Sequence, residues 1–566
     1  MTQAIRDFVR NHSLTYVACA AFCCTLLSAC GGGGGGGGGG GNTGYTVGGS
    51  IAGLLDAGLV LSDGTASVSP AAGATSFTFA NNYSAGAGYS VTISAQPPGL
   101  ACTIVHGTGT VQSSAVTSVS VVCPTPWVFQ GGKNTSAAAG VYGTQGTAAA
   151  GNLPGGRSGA VTWTDDAGNL WLFGGLGYDS TDTQGYLNDL WRYSPASGSW
   201  TWVSGSNVNG ATGVYGAEGV GSTSNTPGAR QGAVSWTDAS GNFWLFGGYQ
   251  TLTGNEAGVY NDLWEYVPTS GQWTWVSGSS TVNAAGVYGT LGVAAASNVP
   301  PARAGASSWL DAAGDLWLFG GSTFTQTSSA SLGLADLWKY SPTTKLWTWV
   351  AGTQTLNAPG VYGSLGTPAP TNEPGARDSA SSWVDASGAL WLFGGLGFDS
   401  TAANGTPNNL NDLWKFDPAL GTQGEWTWVS GSDLAGAKGV YGTLGAAAAG
   451  NVPGARDGAA SWIDLAGNLW LFGGSGYDSL GNGGALNDVW EFSPTTAQWT
   501  WVTGFEVQGA NGSYGAIGAS GAYSPGSRAG SAGWTVGSKF WLFGGIGYNS
   551  ISTNPADLSD LWQYSF

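Results

Sequence analysis

Charge is scarce in this sequence, and positive charge scarcest. Only 8% of its 566 residues are charged, with 15 Lys and Arg against 32 Asp and Glu, for a formal net charge of −17. That balance argues against nucleic acid, where a basic patch supplies most of the affinity. Histidine and cysteine are nearly absent too. Four of the six cysteines and one of the two histidines lie within the first 30 residues, and beyond Cys123 neither residue type occurs. Most of the chain therefore lacks imidazole as a general base and thiolate as a nucleophile. No metal and no cofactor is expected. One long apolar run exists, Leu14 to Leu27, short of the roughly 20 residues that span a bilayer.

That run follows Arg6 and Arg10 and ends "LLSAC", Leu26 to Cys30. It resembles the lipobox of bacterial lipoproteins, which implies that residues 1–29 are a signal peptide and that Cys30 carries lipid. The expected location is the bacterial outer membrane or cell surface, with the membrane as a partner through that anchor. Eleven glycines, Gly31 to Gly41, follow. Residues 30–43 thus form either a flexible tether or a tolerated low-complexity run. The remaining pair, Cys102 and Cys123, is expected to form a disulfide in an oxidising compartment.

What the sequence has in abundance is glycine (101) and tryptophan (29), the mark of many short strands joined by turns. Residues 44–123 read as alternating strands of about five residues with Gly, Ser, Asn and Pro turns, a pattern expected for a small β-sandwich. It resembles the immunoglobulin-like or carboxypeptidase-regulatory-like modules that precede larger domains in bacterial surface proteins. From residue 124 an internal repeat takes over. "WLFGG" recurs at Trp171, Trp244, Trp317, Trp391, Trp470 and Trp541. Each copy stands in a longer frame, with near variants: an Arg, a run of small residues ending in Trp, a hairpin turn, "WLFGG", a variable loop, "NDLW" or a near variant, "WTWVSG" or a near variant, and a connector bearing "GVYG" (once "GSYG"). This predicts four antiparallel strands per unit and a β-propeller, with the small-residue strand innermost where wedge-shaped blades crowd. The sixth unit, starting at Arg528, lacks a fourth strand, and "PWVFQGG" at residues 126–132 supplies one from the front of the chain. The fold class expected is an all-β, six-bladed propeller over 124–566, closed by an N-terminal strand.

The double glycine, the aromatic strand after it and the later Trp resemble kelch repeats, across all six units. The wider family includes the galactose oxidase central domain. Those enzymes hold copper with histidines and tyrosines, one tyrosine cross-linked to cysteine; the absence of His and Cys after residue 123 puts copper oxidation aside. The frame also accounts for all 29 tryptophans.

Candidate ligand-binding residues are those at one end of the innermost strand. Asp378 and Asp457 directly follow the frame Arg, where the other units carry Ser158, Gln231, Ala304 and Ala529. They are either solvated rim acids or a binding or catalytic pair. Arg157, Arg230, Arg303, Arg377, Arg456 and Arg528 form either a ring attractive to carboxylates or a structural set. Variable loops at 176–187, 249–260, 322–334, 396–410, 475–486 and 546–558 are further recognition candidates. The expected function is a surface binding or scaffolding module for an extracytoplasmic protein or glycan. The alternatives are a non-redox carbohydrate-active enzyme using Asp and Arg at the propeller mouth, and a structural or adhesive surface protein.

Overall fold

The computed structural model describes residues 44–52, 54, 57–97, 102–123, 127–251, 257–325, 328–401, 405–519 and 523–566. Cys30, the signal-peptide region and the glycine run lie outside them, as do parts of the loops at 249–260, 322–334 and 396–410. Among the described residues every regular element is a strand.

Residues 44–123 build small sheets around one apolar core. Val47–Ala52 lies parallel to Val116–Val122 and antiparallel to Ser76–Thr78. Val47, Leu61, Val119 and Val121 are fully buried in that core. Cys102 and Cys123 are joined in a disulfide and are buried in the same cluster.

From residue 127 onward, among the described residues, the repeat appears as six antiparallel sheets of four or five strands, with smaller two- and three-stranded sheets beside three of them. In the first, Val161–Thr164, Leu170–Tyr178, Gln184–Ser194 and Ser199–Ser204 pair in chain order. The alternation of small and Trp side chains buries Val161 and Trp163 on one face, as a period of two requires. Asp165 closes the tight turn between the first two strands: its Oδ1 accepts from the Ala167 and Asn169 amides, and its Oδ2 from the Trp171 indole. The sixth sheet is assembled from both ends of the sequence. Trp127–Gly131 lies antiparallel to Leu561–Ser565, with Trp127 opposite Tyr564. Trp127 is 1% exposed and meets Phe472 and Tyr564 edge-on, at 5.0 and 4.9 Å between ring centroids.

The expected innermost strand, running unbroken from Arg to Trp, is interrupted. Arg157–Ser158 pairs with the far half of the second strand and Val161–Thr164 with its near half. Gly159 sits between them at a φ of 63°, a conformation that costs glycine nothing. The same bend occurs at Gly232, Gly305, Gly458 and Gly530, and at Ser379 with a φ of 57°.

Six apolar cores fill the spaces between successive sheets. Leu190, Phe243 and Trp264 sit in the first of these. In the last, Leu172 and Trp191 of the first sheet pack against Trp534 and Phe543 of the sixth. Each such aromatic side chain contributes about 2–3 kcal/mol by leaving water, so the intersheet tryptophans carry much of the stability.

Candidate functional site

The bend after each Arg brings the units together. The Gly232 amide donates to the Gly159 carbonyl, Gly305 to Gly232, Ser379 to Gly305, Gly458 to Ser379, and Gly530 to Gly458, all at 2.7–2.9 Å. Gly159 then donates to Gly530 at 2.9 Å, and the run of bonds returns to its start. A second link repeats the pattern: the glycine ending "WLFGG" reaches the next unit's Arg carbonyl, as Gly175 does with Arg230, and Gly545 does with Arg157. The chain is β-propeller-like.

The residues following the six arginines line this ring. A Cβ on Gly159 would stand 3.3 Å from the Gln231 Cβ, one on Gly305 3.2 Å from that of Asp378, and one on Gly530 3.5 Å from that of Ser158. Ser158 and Asp378 are buried, at 6% and 7% exposure; Gln231 and Asp457 are half-buried. Two of the candidate loops reach the two acids. The Ser322 hydroxyl bonds to Asp378, and Asn409 Nδ2 stands 3.5 Å from Asp457 Oδ1 while donating to the Ser475 carbonyl at 2.7 Å. Ser379 Oγ donates to Asp378 Oδ1 at 3.0 Å.

No arginine or lysine pairs with either acid among the described residues. Burial pushes the Asp378 carboxyl up to about 6. Burial, together with the negative charge of Asp378, pushes Asp457 up to about 7. Neighbouring carboxyls with no cation beside them resist ionising together, so Asp457 gives up its proton less readily than Asp378.

The six arginines do not join this ring, and their reading as a ligand-binding set is corrected. Each is about 1% exposed and grips the aspartate of "NDLW", or of its near variant, in its own unit. Arg157 donates from both terminal nitrogens to Asp189, at 2.7 and 2.8 Å, and from Nε to the Gly155 carbonyl. Arg230 holds Asp262, Arg303 holds Asp336, Arg377 holds Asp412, Arg456 holds Asp488 and Arg528 holds Asp560 in the same bidentate way. The reason is desolvation: a guanidinium this deep needs a fixed carboxylate, and the planar fork supplies two parallel bonds.

The tyrosine of "GVYG" completes the arrangement, a role that was not recognised from the sequence. Tyr142, Tyr215, Tyr288, Tyr362, Tyr441 and Tyr514 each donate to that same aspartate. The Trp two residues after the aspartate donates as well, as Trp191 does to Asp189. The available signal was numerical: one Arg, one Asp of "NDLW" or its near variant and one connector Tyr per unit, always in register.

No family model matches the chain, and no curated protein matches it. The solved structure of YjhT is similar to it, at 13% identity and a TM-score of 0.42, covering 72% of this chain and 95% of that one. A likeness of that size carries nothing about function.

Proposed function

We propose that this chain is a lipid-anchored surface protein whose six-bladed kelch-type propeller, sealed by Trp127–Gly131 and preceded by an immunoglobulin-like sandwich, is a binding module. Its partner is an extracytoplasmic protein or glycan taken at the ring that carries Asp378 and Asp457. The observation that carries this reading is a break in the repeat. The arginines and the tyrosines of "GVYG" do the same structural work in all six units, whereas the ring position carries acids in only two neighbouring units. Ser322 and Asn409, from the adjoining loops, add polar groups beside them. Hydroxyl-rich or amide-bearing partners suit carboxyls held partly protonated near neutrality, because such carboxyls both donate and accept.

The test is a glycan array and a peptide array probed with the wild-type protein and with Asp378→Asn/Asp457→Asn. Binding that the double variant loses supports the reading; identical profiles defeat it. The raised carboxyls also favour the second reading, a non-redox carbohydrate-active enzyme, since a carboxyl protonated near neutral pH is what a general acid requires. Product released from an array-positive glycan, and abolished in the double variant, would select it. The anchor is tested separately: Cys30→Ser should free the protein from sedimenting membranes.

A further inference from the structure

A second break in the repeat lies far from the ring, on the opposite edge of the fourth sheet. In each unit the connector folds into a small antiparallel bridge: Val141 faces Leu153, Val214 Thr226, Val287 Val299, Val440 Val452 and Ser513 Ser524. In the fourth unit Val361 faces Glu373. An acid has replaced a residue that is apolar or small elsewhere. In the same unit the turn between the third and fourth strands is longer. Trp426 pairs with Phe416 across ten positions, whereas Tyr193 and Trp200, Tyr266 and Trp273, Tyr340 and Trp347, and Phe492 and Trp499 are seven apart. The two departures meet. A recess of about 460 Å³ is lined by Glu373 and Asn372 on one side, the inserted Thr422 and Gln423 on another, and Glu425 and Trp426 at the start of the edge strand.

The chemistry of its wall is one-sided. Two carboxylates and no Lys or Arg line it. The Thr353 amide lies against the Glu373 carboxylate, but Glu373 Oε1 is buried with no hydrogen bond from the chain. Asn372, 4% exposed, has its Oδ1 in the same condition. Asn298 in the preceding unit shares that unbonded oxygen, so the asparagine belongs to the repeat and Glu373 is the new element. Burial pushes the Glu373 carboxyl up. A buried acceptor without a donor is expensive, and a repeat that manages with Val or Leu at this position has no structural need of one.

We propose that this recess is a binding site for a ligand bearing a primary ammonium group, held by the carboxylates of Glu373 and Glu425. An ammonium brings three donors and a positive charge to a wall of acceptors. The volume accommodates a lysine side chain or an amino sugar with room for its body. A divalent cation suits the recess less well: calcium needs six to eight oxygen ligands, and no cluster of three or more His, Cys, Asp or Glu able to hold a metal occurs among the described residues. The site is independent of the Asp378–Asp457 ring.

Calorimetric titration of the full chain at pH 7 tests it, with Nα-acetyl-lysinamide, Nα,Nε-diacetyl-lysinamide, glucosamine and calcium chloride as probes. One or both ammonium probes should bind. The diacetylated compound should bind about tenfold more weakly or not at all, and Glu373→Gln should lose about tenfold or more. The stronger of the two ammonium probes identifies the source, peptide or amino sugar. Glu373→Val restores the residue of the third and fifth units; it should raise the melting temperature of the unliganded protein while abolishing binding, so loss of binding cannot be blamed on misfolding. The proposal is overturned by equal binding of the acetylated probe, by a response to calcium alone, by no wild-type binding at millimolar probe, or by unchanged affinity in Glu373→Gln.

Discussion

Two kinds of buried aspartate occur side by side in this molecule. Asp412 and Asp488 lie in the grip of Arg377 and Arg456, with a tyrosine and a tryptophan also donating to each. Asp378 and Asp457 are the residues immediately after those arginines, and among the described residues only neutral groups donate hydrogen bonds to them. Where the direction resolves among the paired acids, the carboxyl is held low despite burial, as at Asp336 and Asp560, because the Arg charge and its hydrogen bonds oppose desolvation. At the ring, desolvation wins and the carboxyls rise. One residue's shift along the backbone separates a structural ion pair from a proton-holding site. Depth alone does not determine what a buried acid does; its donors do.

The hardest way to break the comparison is to remove the cation. Arg456→Ala leaves Asp488 deep and uncompensated, and should cost about 3–5 kcal/mol in denaturant unfolding. Loss of under 1 kcal/mol would mean that the pair is not load-sharing in the fold. Tyr441→Phe removes a single donor from the same carboxylate while leaving the guanidinium in place, and should cost roughly 1–2 kcal/mol.

The ring acids should respond in the opposite sense, through pH. Their folded values lie above the ordinary carboxylate value of 3.8, so below about pH 4 they are protonated in both states and impose no penalty. As pH rises toward 7 the unfolded chain ionises more readily than the folded one, and stability falls. Part of Asp457 remains in solvent, which limits the loss to about 1–3 kcal/mol for the coupled pair. Asp378→Asn/Asp457→Asn should flatten that decline between pH 4 and 7. Asp336 and Asp560, held low by their arginines, behave inversely: the stability they contribute is present above their unfolded value and is lost only as pH falls below about 4. A wild-type profile with no decline toward pH 7 would remove the ring acids from consideration as proton holders.

The smallest effect is expected at Ser379, the one bend residue that is not glycine. Ser379→Gly relieves a left-handed serine but adds backbone entropy to the unfolded chain, so stability should change by less than about 1 kcal/mol. The readable change is elsewhere. Losing the hydroxyl that donates to Asp378 should move that carboxyl further up in an NMR titration, with Asp457 moving the other way because less negative charge stands beside it.

Much of this was legible before any coordinates. The strand order within a unit follows from hairpin turns and alternation, which are local, and "WLFGG" marks the second strand in all six sheets. The front-loaded Trp127 is visible as a fragment out of place, and its pairing with Tyr564 needs only the rule that sheet edges seek partners. The break at Gly159 was less accessible: "RSGAVTW" alternates well enough to pass for one strand, and only the hydrogen bonds between units show why the backbone turns there. Glu373 was visible as the acid in "TNEPGAR" where the first and fifth units read "GNLPGGR" and "GNVPGAR", yet nothing local says that the longer turn before Glu425 lies beside it.

What the sequence determined on its own is therefore the repeat: strand lengths, turns, the small innermost residues and the placement of tryptophan, all set by periodicity and side-chain size within a few tens of residues. What only the tertiary structure decided is which charged groups face each other. Arg157 and Asp189 are 32 residues apart, Asp378 and Asp457 belong to different units, and the Glu373 recess joins a connector to a distant turn. Whether an acid is gripped by arginine or pushed up by burial depends on donors that folding brings to it, and no spacing along the chain encodes that.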